Sequence, residues 1–135
     1  MPTAVLALQQ AVYASLIANT DLTDLLGGPH VFDGAPEGAA FPYVTFGPAS
    51  ARDWSTGTDG GDELTLTLHV WSRSAGRREA TLVMAALQTA LHQADLDLDG
   101  HRLVSLRNDI SEVRREADGE TWHGEARFRA LTERL

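Results

Sequence analysis

The sequence predicts an α+β domain: an antiparallel β-sheet of about four to five strands, with an N-terminal helix and a central helix packed on one face. Three observations carry this. Residues 63–73, Glu-Leu-Thr-Leu-Thr-Leu-His-Val-Trp-Ser-Arg, alternate strictly, with Leu64, Leu66, Leu68 and Val70 on one side and Thr65, Thr67, His69 and Trp71 on the other. Residues 2–19 and 75–93 carry apolar side chains at helical spacing. Residues 103–113 and 121–131 are alternating runs joined around Asp118-Gly119, a strong hairpin signal. Burying the four aliphatic residues of 63–73 is worth on the order of 6 to 12 kcal/mol. A whole domain nets only about 5 to 15 kcal/mol, so this strand belongs at the centre of the sheet.

In the first helix, residues 2–19, Val5, Leu8, Val12 and Leu16 form one stripe flanked by Leu6, Tyr13 and Ile17, and Pro2 suits a first turn. Thr20 is placed to cap a short second helix over 21–26, which Gly27-Gly28-Pro29 ends. Residues 30–42, punctuated by Gly34, Pro36, Gly38 and Pro42, read as a loop with at most a short strand at Val31 and Phe32. Residues 43–47 read as a strand, and 48–62 as a long polar hairpin connection. Within it, Arg52, Asp53 and Trp54 set a charged pair beside a large aromatic; Trp54 either folds back on its own domain or docks on a partner. Ser74 is placed to cap the helix 75–93, whose buried face is Ala80, Val83, Met84, Leu87 and Leu91. Arg77 and Arg78 fall in its first turn, where the helix dipole disfavours cations; either solvent or carboxylates of another subunit answer them. In 103–113, Val104, Leu106 and Ile110 share a side while Val113 falls out of phase, which predicts a bulge near Ser111 and Glu112. In 121–131, Trp122, Gly124, Ala126, Phe128 and Ala130 face one way and Thr121, His123, Glu125, Arg127 and Arg129 the other.

The 135 residues fit one domain, 1–135, with no linker, repeat or low-complexity tract. The net charge is −8 and all eleven cationic side chains are Arg. That balance argues against a protein that grips nucleic-acid phosphates over a broad face, but not against one that DNA passes. Without cysteine, disulfides, thiolate zinc sites and thiol catalysis are excluded. No apolar run approaches the roughly 18 to 20 residues that span a bilayer, and no Arg precedes Arg52, so the basic start of a secretory signal is not expected.

Residues 95–100, Asp-Leu-Asp-Leu-Asp-Gly, copy the opening of a calcium-binding loop, but the position that requires a bidentate Glu holds Leu106. They read instead as a polar connection with Leu96 and Leu98 turned inward. His30, His69, His92, His101 and His123 lack zinc-site spacing, and nucleophile-elbow, phosphate-loop and dinucleotide fingerprints are missing. No metal or cofactor site is predicted.

The run Phe41-Pro-Tyr-Val-Thr-Phe-Gly47, the polar loop after it, Leu66-Thr-Leu-His-Val-Trp-Ser-Arg73, and the Ala-rich helix ending Leu87-Gln-Thr-Ala-Leu-His92 resemble small tail-completion proteins of long-tailed phages. The tail terminators of prophages and phage-like gene transfer agents are the nearest in pattern, and the similarity covers nearly the whole chain. The resemblance implies a non-enzymatic virion protein without a cofactor, assembled in the bacterial cytoplasm. It further implies a homo-oligomeric ring, usually a hexamer, at the junction of tail and neck. Such a ring caps the tail tube, stops its growth and offers a docking surface to head-tail connector or neck proteins, while DNA passes through it without sequence-specific binding. The candidate interface residues are Arg52, Asp53, Trp54, Trp71, Arg77 and Arg78, because interface anchors favour Trp and Arg. Another neck or connector component is the nearest rival reading; a small α+β enzyme or ligand-binding domain is the second.

Overall fold

The computed structural model describes residues 3–55, 57 and 60–135. Its order is α1 (Ala4–Ile17), α2 (Thr20–Leu26), β1 (Val31–Phe32), β2 (Tyr43–Asp53), β3 (Gly61–Ser72), α3 (Arg78–Leu91), β4 (Asp97–Leu98), β5 (His101–Arg115) and β6 (Trp122–Arg134). The strands form one six-stranded sheet in the order β1-β2-β3-β6-β5-β4. The α+β class holds, but the sheet is mixed and larger than expected, because β1 runs parallel to β2 and β4 adds a second marginal strand. Each has two residues, too few to show any periodicity.

β3 takes the central place its alternation implies, pairing with β6 along its full length on one side and with β2 from Asp62 to Trp71, with a break at Thr67, on the other. Leu64, Leu66, Leu68 and Val70 are at most 2% exposed. They meet Leu8, Val12 and Leu16 of α1 and Val83, Leu87 and Leu91 of α3 in one apolar cluster, with Phe128 and Ala126 of β6 beside them. Gly124 lets α3 approach: a Cβ there would lie 2.7 Å from Met84 Sδ. Leu98 is buried and Leu96 packs against the cluster, as the reading of 95–100 as a connection requires.

Local chemistry moves several boundaries. Thr3 caps α1, its Oγ1 accepting the Leu6 N–H at 3.2 Å; Pro2, the expected first-turn residue, lies outside the described residues. Asn19, not Thr20, caps α2, its Oδ1 accepting the Leu22 N–H at 3.0 Å, and Gly27 ends that helix at φ 79°. Ser74 does not cap α3. The chain turns through Gly76 at φ 124°, and the helix begins at Arg78 with Arg77 in the cap position making no side-chain cap hydrogen bond.

β2 runs on past Gly47 to Asp53, so Arg52 and Asp53 belong to a strand opposite Glu63 and Asp62. Pro48 is tolerated because it falls at a register shift between Phe46 and Ala49, on a strand whose outer edge β1 covers only at Val44 and Thr45. The phase break in β5 is real but misplaced. Shifts occur between Leu103 and Ser105 and between Asn108 and Ile110, so Leu106 is buried while Val104 and Ile110 are 46% and 49% exposed.

Candidate protein interfaces

The four long strands are nearly matched in length, so the domain has two ends. One carries the β2–β3 connection and the C-terminal residues; the other carries the start of α3 and the β5–β6 turn. Asp62 and Trp71 of β3 mark them, roughly 30 Å apart at about 3.3 Å per residue. The structure therefore divides the six candidates, placing Arg52, Asp53 and Trp54 at the first end and Trp71, Arg77 and Arg78 at the second. They do not form one site.

At the first end the connection is a braced arm. The Trp54 ring lies on Gly61, where a Cβ would be 2.5 Å from Trp54 Cε2, and the Trp54 N–H donates to the Gly61 carbonyl at 3.1 Å. Trp54 thus folds back on its own hairpin while staying 36% exposed. The Ser55 hydroxyl and its N–H both donate to the Asp53 carboxylate, and these bonds hold that carboxyl below its ordinary range. Arg134 of β6 reaches Asp62 at 3.4 Å and Asp53 at 3.9 Å. Arg52 is exposed beside these pairs. Thr56, Thr58 and Asp59 of the expected loop lie outside the described residues.

At the second end Trp71 lies on the sheet face away from the helices. Its indole N–H donates to Thr45 Oγ1 at 3.0 Å and its ring stacks on His123 at 4.0 Å between centroids. Beneath it runs a chain of titratable groups. His123 is 5% exposed, and its Nδ1 lies 2.6 Å from Glu116 Oε1 and 3.0 Å from Arg114 Nη2. Its Nε2 lies 2.6 Å from His69 Nδ1, within hydrogen-bond distance. Burial is the main cause that pushes the His69 pKa down; His123 and Arg114 add to it and Glu125 opposes it. The ring of His69 packs over Gly47, where a Cβ would lie 2.4 Å from Nε2. Phe41, Tyr43, Trp71, Arg73 and Asp118 line an adjoining groove of about 390 Å³, with Arg73 over the Phe41 ring at 4.6 Å. Asp118, fixed by the Thr121 N–H and hydroxyl and the Glu120 N–H, has its pKa lowered to about 2. Sequence periodicity puts His69 and His123 each on the polar side of its own strand but does not pair the strands. Glu116 gave no signal, because the β5–β6 register that brings it to His123 is a property of the pairing.

Arg77 is not simply solvated. Its guanidinium lies 5.3 Å from the Trp122 ring centre, and Arg115 of β5 lies 5.1 Å from the same ring. Arg78 is exposed beside them. Among the described residues, no three His, Asp or Glu side chains are grouped to hold a metal ion, and no helix is long and apolar enough to cross a membrane.

Residues 10–133 match the family model described as tail completion protein gp17. The chain belongs to that family. The tail completion protein gp17 of Bacillus phage SPP1 is 27% identical over 118 residues, spanning 87% of this chain and 86% of the relative. The gp17-family fold also matches the solved structure of bacteriophage SPP1 gp17 with a TM-score of 0.66 at 26% identity, covering 94% of this chain and 89% of that one. A chain from the virion of a native gene transfer agent particle matches with a TM-score of 0.90 at 34% identity, covering 98% and 99% of the two chains. The family resemblance read from the aromatic and strand pattern is therefore correct.

Proposed function

We propose that this tail completion protein caps the finished tail tube as a ring, a hexamer, that stops tube growth and presents a docking surface to the neck proteins on the head side. The observation that carries the reading is the end-to-end match, at 34% identity, to a chain of an assembled gene transfer agent virion. The molecule suits the role physically. A ring repeats one heterologous contact, so each copy needs two unlike flanks, and this sheet has two edges covered only in part. Its two ends also differ, a braced Trp54 arm at one and the Trp71 groove at the other, which fits one end for the tube and one for the neck. The acidic chain lets DNA slide through without retention by counterion release. The role requires no chemistry and no cofactor.

Electron microscopy of tailed particles, with and without the chain, tests this. Ring density at the tail end and unjoined heads in its absence are expected. Density at the head portal would favour the rival neck component, and normal tails without the chain would refute the capping role. Replacing residues 55–60 by a short turn should preserve folding and abolish joining. A deletion reaching back to residue 51 is unsuitable, because residues 51–53 pair with β3.

A further inference from the structure

The proposed ring leaves open which surfaces of neighbouring copies meet, and the charge layout of the sheet's two flanks addresses this. On the β5 flank, Arg77 and Arg115 lie within about 5.3 Å of one Trp122 ring, so their charges are no more than about 11 Å apart, close to one Debye length at physiological salt. Arg78 adds a third. Among the described residues none of the three has a carboxylate ion-pair partner. Glu79, the acid nearest in sequence, is turned away to accept from Ser72 Oγ at 2.6 Å. Cation–π contact with a buried indole fixes two of these side chains in place, so little conformational freedom is left to lose on binding.

The opposite flank carries the complement. The loop that leaves β1 at Phe32 and enters β2 at Tyr43 exposes Asp33 and Glu37, likewise without ion-pair partners among the described residues. The loop enters β2 at Tyr43, opposite Trp71, at the same end of the sheet as Arg115, which pairs with Trp122, and it leaves β1 at Phe32, beside Thr45 and level with Glu112, about 10 Å further in. β1 and β5 are four strand spacings apart, roughly 19 Å. The acidic loop therefore cannot neutralise the arginines of its own chain. A second copy placed side by side can.

We infer that the Arg77–Arg78–Arg115 corner of one copy docks on the Asp33 and Glu37 loop of the next, making the head-to-tail contact of the ring. This rests on the ring reading above. It explains arginines at the N-cap and first turn of α3 in a chain whose net charge is −8, and it gives each copy one donor and one acceptor flank, as a heterologous contact requires.

Reciprocal charge reversal in tailed particles assembled with the full chain tests it, read as copies incorporated per particle by quantitative mass spectrometry. Arg77→Glu with Arg115→Glu, or Asp33→Arg with Glu37→Arg, should each lower incorporation at least about tenfold at low salt, and all four together should recover it to within about threefold. Should Arg115→Glu melt the domain by uncovering Trp122, Arg77→Glu with Arg78→Glu replaces that arm. Reversed pairs that incorporate like the parent overturn the inference and leave the ring standing. Loss without rescue assigns the corner to another partner, such as DNA phosphate, and overturns it equally. A parent chain that forms no ring on particles sinks both readings.

Discussion

Gly47→Ala is a sharp probe of the outer sheet face. Gly47 is not among the glycines at positive φ, so alanine meets no left-handed strain, but its Cβ would lie 2.4 Å from His69 Nε2 and 2.7 Å from Cδ2. The ring cannot simply swing aside. Its Nδ1 is bonded to His123 at 2.6 Å, and His123 is in turn held by Glu116 and covered by Trp71. Overpacking of this kind costs about 1 to 3 kcal/mol, and a lost hydrogen bond about 1 kcal/mol more. Against that, alanine for glycine restricts the unfolded chain and returns about 0.4 to 1 kcal/mol. The net expectation is a destabilisation of about 1 to 3 kcal/mol, or roughly 4 °C in melting temperature per kcal/mol for a domain of this size. Thermal and urea melts of Gly47→Ala, His69→Ala and the double variant measure it. In the His69→Ala background the clash is gone, so Gly47→Ala should become neutral or stabilising, a coupling of about 1 kcal/mol or more. Additive effects, or a Gly47→Ala protein as stable as its parent, would refute the argument that the imidazole is pinned.

Two further outcomes follow from the same structure. Because burial lowers the His69 pKa below its ordinary 6.5, the unfolded state takes up that proton first as pH falls. Stability from this group is complete above about pH 6.5 and lost below it, so melts between pH 8 and 5 should show a decline that His69→Gln flattens; an unchanged slope would exclude the group as its source. Leu66, 2% exposed at the middle of β3, should not tolerate Asp, since an unpaired buried carboxylate costs several kcal/mol against a net stability of about 5 to 15 kcal/mol. A soluble Leu66→Asp protein with a cooperative melt would show that β3 is not the spine of the fold.

What was legible in the sequence is what side-chain periodicity encodes. The buried faces of β3, α3 and β6 were readable residue by residue, because a strand of twelve residues or a helix of fourteen repeats its pattern often enough to be unmistakable. β4 was not, and β1 was foreseen only as an optional short strand at Val31 and Phe32, since two residues carry no period and do not say which strand they pair with; the sheet was therefore expected to be smaller and wholly antiparallel. Pro48 concealed the second half of β2 for a related reason: a residue that breaks a central strand is harmless at a bulge on an edge, and edge status is a fact of pairing.

The candidate site shows the same division more strongly. Composition could nominate Trp71, Arg77 and Arg78 as anchors, one residue at a time. It could not show that Arg77 shares the Trp122 ring with Arg115, thirty-eight positions later in the chain, or that Trp71 rests on a His69–His123–Glu116 chain drawn from β3, β6 and the β5–β6 turn. Both groupings depend on the β3–β6–β5 register, and a one-residue slip would send each partner to the opposite face. In a protein whose role is to meet other proteins, the informative unit is therefore the juxtaposition made by the sheet. A substitution that preserves every residue type at the surface but shifts β5 against β6 should erase the proposed interface while leaving the surface composition intact.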